Sequence, residues 1–210
     1  MAAGPDGRRR ERGTLTTKQM GRPVKKPVTY EDLLRVPEPL VAEIVDGDLC
    51  PRPAAPHAVS TTALGGELSG PFQRGRGGPG GWWILFEPEI HLGGDVLVPD
   101  LAGWRRERMG VIPKTAAFEL APDWICEVLS PATARLDRAR KLPAYAREGV
   151  RHAWLIDPTA RILEVLALDQ GSWRLPATHG DDDLARIPPF DAIELDLLAL
   201  WGESRPPPPG

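Results

Sequence analysis

Residues 124–131 read Trp124-Ile-Cys-Glu-Val-Leu-Ser-Pro131, an apolar run with one carboxylate inside it. A short run rich in Trp, Ile and Val predicts a buried strand. Alternate residues on a strand share a face. Ile125, Glu127 and Leu129 then point one way, and Trp124, Cys126 and Val128 the other. Both faces are otherwise apolar, which holds Glu127 at or near a core. A buried carboxylate is costly unless it is paired, hydrogen-bonded or bound to metal. The fold must therefore bring Glu127 a partner.

Two flanking segments offer candidates. Upstream, Val96-Leu-Val-Pro-Asp-Leu-Ala-Gly-Trp104 reads as a second strand with Asp100 inside it. Two strand-borne carboxylates separated by a connecting loop can meet on adjacent strands. Downstream, Ser130-Pro131 supplies an N-cap and an N1 proline. The helix it opens runs to Glu148, with Gly149 at the C′ position. Pro143 lies inside that helix and predicts a kink or a restart. Lys141 and Tyr145 are four apart and share a helix face, with Asp137 one turn before Lys141. If this helix packs back over the sheet, Lys141 approaches both carboxylates.

The remaining chain fits around these pieces. Thr29 caps a short helix with Asp32 in its first turn, and Asp46-Gly47 between apolar runs marks a hairpin. His57 to about Phe72 has helical spacing, which Gly65-Gly66 weakens. Gln73 to Gly81 is a loop rich in Gly and Arg. Trp82 to Phe86 and Glu89 to Leu92 read as strands, or as one strand bent at Pro88. Residues 105–120 form a loop. Strands follow at His152 to Asp157, Ile162 to Leu168 and Trp173 to Leu175, and Phe190 to Trp201 adds a strand or a helical turn. This order predicts an α+β fold whose mixed, largely antiparallel sheet is flanked by helices.

At 210 residues the chain suits one domain with tails. The domain is expected over 28–202, between a disordered basic arm (1–27) and a Pro-rich tail (203–210). Met20 is a second candidate start. Residues 1–27 carry eight basic residues against two acidic ones, a net of +6, which leaves −9 on the rest of a chain of net charge −3. A basic arm on an acidic body suits a solvated tail or a nucleic-acid contact. No apolar run is long enough to span a membrane, and the basic N-terminus has no apolar segment behind it to make a secretory signal. Cys50 and Cys126 give no disulfide framework. A reduced, cytoplasmic setting is expected.

Paired carboxylates beside a lysine have a definite chemical use. Hard oxygens bind Mg²⁺ or Mn²⁺. The ion activates water and neutralises charge on a phosphate, and a lysine orients the water or stabilises the transition state. The same residues equally suit a plain buried ion pair between Glu127 and Lys141, with Asp100 capping a strand end. Spacing leaves both open.

The ordered set Val-Pro-Asp100, Ile-Cys-Glu127-Val-Leu-Ser-Pro131, Lys141-Leu-Pro-Ala-Tyr145-Ala-Arg-Glu-Gly-Val150 and Ala-Trp154-Leu-Ile-Asp157 resembles the Uma-two family of endonucleases, formerly a domain of unknown function. That family lies in the restriction-endonuclease-like superfamily, whose motif is written PD-(D/E)xK. Tyr30-Glu-Asp-Leu-Leu34 and Glu43-Ile-Val-Asp-Gly47 extend the resemblance, which covers about Val28 to Leu168. It implies a sheet core flanked by helices, with Mg²⁺ or Mn²⁺ between Asp100 and Glu127. The position two after Glu127 is Leu129 rather than lysine, so the resemblance implies a lysine moved onto the next helix as Lys141. His152 stands where relatives often carry an acidic residue.

Glu43 resembles an extra upstream acid of such nucleases; otherwise it is a hairpin residue facing solvent. His57 resembles a histidine opening the second helix; otherwise it is an exposed helix residue. Tyr145 is an accessory candidate that packs under Lys141. Glu87 and Glu89 flank Pro88 and are solvated or face the site. Trp82, Trp83, Trp104 and Trp154 suit the core or a subunit interface. The expected function is metal-dependent phosphodiester hydrolysis of nucleic acid, DNA in the first instance. A homodimer is expected because duplex cleavage needs two cuts. The rival reading is a catalytically inactive binding or regulatory module on the same fold, favoured by the acidic body. A third, an unrelated metal-dependent hydrolase, applies if the resemblance fails.

Overall fold

The computed structural model describes residues 28–37, 40–53 and 58–206. The expected basic arm and His57 lie outside them. Helix α1 (Tyr30–Leu34) opens on a capping box: Thr29 accepts the Asp32 N–H and Asp32 accepts the Thr29 N–H. Strands β1 (Leu40–Val45) and β2 (Asp48–Pro53) follow, joined by Asp46 and Gly47. Both take positive φ, 51° and 73°, as a two-residue type I′ turn requires. Helix α2 (Ala58–Leu68) runs into a π turn over Ser69–Gln73. Then come β3 (Trp82–Phe86), β4 (Ile90–Leu92), β5 (Asp95–Leu97), β6 (Leu101–Arg105) and β7 (Trp124–Val128).

The helix after β7 has three parts: α3 (Ala134–Leu136), a π turn over Asp137–Lys141, and α4 (Leu142–Arg147). The chain closes with β8 (His152–Asp157), β9 (Ile162–Asp169), β10 (Ser172–Gly180), β11 (Leu184–Ala185), β12 (Leu195–Asp196) and a 3₁₀ turn over Leu197–Trp201.

A six-stranded sheet, ordered β10-β9-β8-β7-β6-β3, forms the centre, and a four-stranded sheet, ordered β2-β1-β5-β4, lies beside it. Within the large sheet β7 and β8 pair parallel and the other neighbours antiparallel. A parallel neighbour needs a crossover, and α3 through α4 supplies it. The mixed, largely antiparallel α+β architecture is therefore as expected.

The large sheet is buried on both faces. Trp124, Cys126 and Val128 pack with Leu64, Leu68 and Phe190 on one side. Ile125 and Leu129 pack with Trp104, Leu142 and Tyr145 on the other. The period-two alternation expected around Glu127 holds, and Glu127 points toward the second cluster.

Two segments differ from expectation. Val96 to Trp104 is two strands in two sheets: β5 pairs with β1 and β4, β6 with β3 and β7. Apolar residues fill both halves because both strands are buried, so hydrophobicity does not mark the crossing at Val98–Asp100. Trp82 to Leu92 takes the two-strand form of its two expected readings, one strand in each sheet, breaking at Glu87, whose φ is 42°. Regular helix begins at Ala134 rather than Pro131, although Ser130 Oγ does accept the Thr133 N–H. The irregularity expected at Pro143 takes the form of the π turn before it, where the Leu142 N–H reaches back five residues to the Asp137 carbonyl. Such a turn eases the loss of the proline N–H.

Candidate functional site

Asp100 sits where the chain leaves β5 for β6. The register of β6 on β7 pairs Leu101 with Cys126, so one further step sets Asp100 opposite Glu127. Directly opposed residues share a face, and the two carboxylates therefore lie together at one end of the sheet. Asp100 Oδ2 accepts the Val128 N–H at 2.7 Å. This prolongs the ladder, so the strand-end cap expected of Asp100 is present.

Glu43 arrives from β1. It is fully buried, which excludes the solvent-facing hairpin alternative. Its Oε1 accepts the Val98 N–H at 2.7 Å, tying it to the strand crossing that ends at Asp100. The π turn delivers Lys141, 1 % exposed, between the acids. Its Nζ lies 2.7 Å from Glu127 Oε1, 2.9 Å from Glu43 Oε1 and 3.6 Å from Asp137 Oδ1. The Val98 carbonyl accepts a further hydrogen bond from it at 3.4 Å. Tyr145 is more than packing, because its hydroxyl donates to Glu127 Oε1 at 2.8 Å. Glu43, Asp100, Glu127, Lys141 and Tyr145 thus meet in one place from four separate parts of the chain.

The outer support was not expected from sequence. Arg140, next to Lys141, reaches the β1–β2 turn: it donates to the Val45 carbonyl and pairs with Asp48 at 3.3 Å and Asp46 at 3.5 Å. Arg147 pairs with Asp95 at 2.5 Å, and Asp95 accepts the Asp46 N–H at 2.7 Å. One helix therefore delivers the lysine and holds the hairpin that carries Glu43. The adjacent sequence signals were the basic run Arg138 to Lys141 and the acids of the turn. Glu89 is elsewhere, bonded to Tyr30 and His91. Glu87 lies beside Asp100, donating its N–H to the Asp100 carbonyl, with its own side chain exposed.

A family model named Uma2, described as "Putative restriction endonuclease", matches residues 28–198. The chain belongs to the Uma2 family. The Uma2 chain is also similar in fold to a "putative nuclease belonging to DUF820" from Anabaena variabilis ATCC 29413, whose structure was solved by crystallography. The TM-score is 0.67 and the identity 21 %, over 84 % of this chain and 98 % of that one. No curated protein matches. The fold of the Uma2 chain is restriction-endonuclease-like.

Proteins of this fold generally use a divalent metal. The donor chemistry of the Uma2 site suits Mg²⁺ or Mn²⁺, since Asp100, Glu127 and Glu43 offer only hard oxygens. Among the described residues, however, no three acidic, His or Cys side chains converge closely enough to form a metal cluster. The Lys141 ammonium lies instead between Glu43 and Glu127. Asp100 and Glu127 are the residues that would hold an ion, with Lys141 giving up its contact to Glu127.

Burial pushes the Glu127 carboxyl well above the usual carboxylate range; Lys141 opposes this, while Asp137, Asp100 and Glu43 add to it. Burial also raises Asp137, again against Lys141. The Tyr145 phenol is driven up first by burial and then by the charge of Glu127, which keeps it a neutral donor. A cluster rich in buried carboxylates with one ammonium thus favours any added positive charge.

Proposed function

We propose that this chain is a nuclease that hydrolyses nucleic-acid phosphodiester bonds, with DNA as first substrate, at the Asp100–Glu127–Lys141 cluster. The observation that carries the reading is the meeting of these residues and Glu43 at one sheet end, all 5 % exposed or less. A bound Mg²⁺ or Mn²⁺ would supply Lewis-acid activation of water and neutralise charge on the phosphate. Asp100 and Glu127 would hold it; Glu43 is tied to the Val98 N–H and steadies the strand crossing. Lys141, at the same sheet end, would stabilise the charge that builds on the phosphate. Tyr145 keeps Glu127 oriented through its hydroxyl. The family and the fold likeness support the reaction class.

One observation favours the inactive binding module: Lys141 is paired with both Glu127 and Glu43, and three metal donors do not converge. Cleavage of labelled DNA and RNA in Mg²⁺, Mn²⁺ and EDTA separates the two. The nuclease cuts in either metal, not in EDTA, and not as Asp100→Ala. A module binds without cutting under all conditions.

A further inference from the structure

The loop Gln73–Gly81 and the end of β6 form a second charged feature, remote from the carboxylates. Trp82 pairs with Arg105 across β3 and β6, while Phe86 pairs with Leu101. Arg105 therefore lies at the end of β6 away from Asp100, about 17 Å along the strand at ~3.4 Å per residue. The Arg106 N–H donates to the Gly81 carbonyl at 2.9 Å and ties the loop to this end, while the Gly80 N–H donates to the Pro71 carbonyl at 2.8 Å and ties it to the π turn. A Cβ on Gly78 would come within 2.4 Å of Pro71 Cβ, so glycine lets the loop fold tightly onto α2's π turn.

Four arginines border this region: Arg74 and Arg76 in the loop, and Arg105 and Arg106 at the end of β6, where Arg105 stacks on Trp82 and Arg106 on Trp83 on the opposite face of the sheet. Among the described residues none of the four is ion-paired with a carboxylate. Elsewhere on the body many arginines, though not all, are paired. Arg35, Arg138, Arg140, Arg147, Arg161 and Arg205 all have acidic partners. Glu107, next to Arg106, is exposed, and Asp123, which accepts the Arg105 N–H, is already held by Arg108 at 2.8 Å. Residues 28–210 as a whole carry −9, so uncompensated positive charge concentrated at one place runs against the general field.

Two of the four groups are also held in place. Arg106 lies 3.9 Å above the Trp83 ring and donates to the Gln73 carbonyl at 2.7 Å and the Trp82 carbonyl at 3.3 Å. Arg105 lies 4.5 Å above the Trp82 ring. Stacked guanidiniums lose little further freedom on meeting a phosphate, and arginine suits phosphate geometry. Arg74 and Arg76 are exposed at the loop tip.

We infer that Arg74, Arg76 and Arg106 form a phosphate-binding surface that grips the nucleic-acid backbone about half a helical turn from the carboxylate site. This deepens the nuclease reading and rests on it for the identity of the polyanion. Its role is positioning: backbone contacts fix register without reading bases.

The test is binding of the full chain to a fluorescein-labelled 30-base-pair duplex in EDTA, by anisotropy across a salt series. Arg74→Gln/Arg76→Gln is compared with a control pair, Arg35→Gln/Arg174→Gln, which removes the same charge from exposed positions elsewhere. Losing two phosphate contacts should lower the slope of log K against log salt by about 1.8 and weaken binding tenfold or more at ~0.1 M salt. The control pair should bind as the parent does. Equal weakening by both pairs, unchanged binding by the loop pair, or no duplex binding by the parent overturns the assignment. Melting temperature reports whether the loop pair folds. If it melts low, single Arg76→Gln replaces it, with half the slope change expected. Binding without cleavage would sink the catalytic reading and leave this surface standing.

Discussion

Replacing Lys141 by methionine keeps the stem of the side chain and removes its charge. Lys141 is 1 % exposed and lies within ion-pair distance of Glu43, Glu127 and Asp137. Removing one partner of a buried pair leaves an uncompensated charge and costs about 3–5 kcal/mol. For a domain of this size that is a fall of roughly 6–20 °C in melting temperature. The sign with pH follows from Glu127, whose folded carboxyl is raised by burial. A raised acid contributes stability that is present below its unfolded value and lost as pH rises through its folded value. The gap between variant and parent should therefore narrow from pH 7 toward pH 5 in thermal melts followed by circular dichroism. Adding Glu127→Gln to Lys141→Met removes the buried charge and should recover part of the melting temperature. Cleavage should fall roughly a hundredfold or more in Lys141→Met, the scale for losing one preorganised donor, and should stay lost in the double variant. A variant that melts within a degree of the parent at pH 7, or cleaves at the parent rate, refutes the reasoning.

The metal reading predicts that Mg²⁺ or Mn²⁺ raises the melting temperature by mass action, and that Asp100→Ala loses this response in a thermal-shift titration. Tyr145→Phe deletes the hydroxyl that donates to Glu127 at 2.8 Å in a fully buried setting; chemical denaturation should show a loss of about 1–3 kcal/mol. His152 is held below its ordinary value by burial first and by Arg105 and Arg151 next. The unfolded chain then takes up a proton below about pH 6.5 while the folded one does not, so stability declines as pH falls through that value. His152→Gln should flatten this part of the melting-temperature profile between pH 7.5 and 5.5.

How much of this was legible in the sequence depends on range. Glu127 was legible because a period of two puts Ile125 and Leu129 on its own face, and the structure keeps that alternation. Asp137 and Lys141 were legible as neighbours because four residues make one helical turn, and a π turn there preserves the contact at 3.6 Å. Glu43 had two readings, since a strand next to a hairpin can turn either way; the distant π turn that lays Lys141 against it decides for burial. The crossing at Val98–Asp100 was hidden because Val96, Leu97, Leu101 and Ala102 are apolar on both sides of it. Arg140 on the Asp46–Asp48 turn spans more than 90 residues of sequence, and no local pattern signals such a pair.

The most direct test of the central claim is an anomalous difference map from crystals grown with Mn²⁺. The account predicts a peak between the Asp100 and Glu127 carboxylates, with Lys141 withdrawn from Glu127. Saturating Mn²⁺ with no peak there, and Lys141 still bridging Glu43 and Glu127, would contradict it.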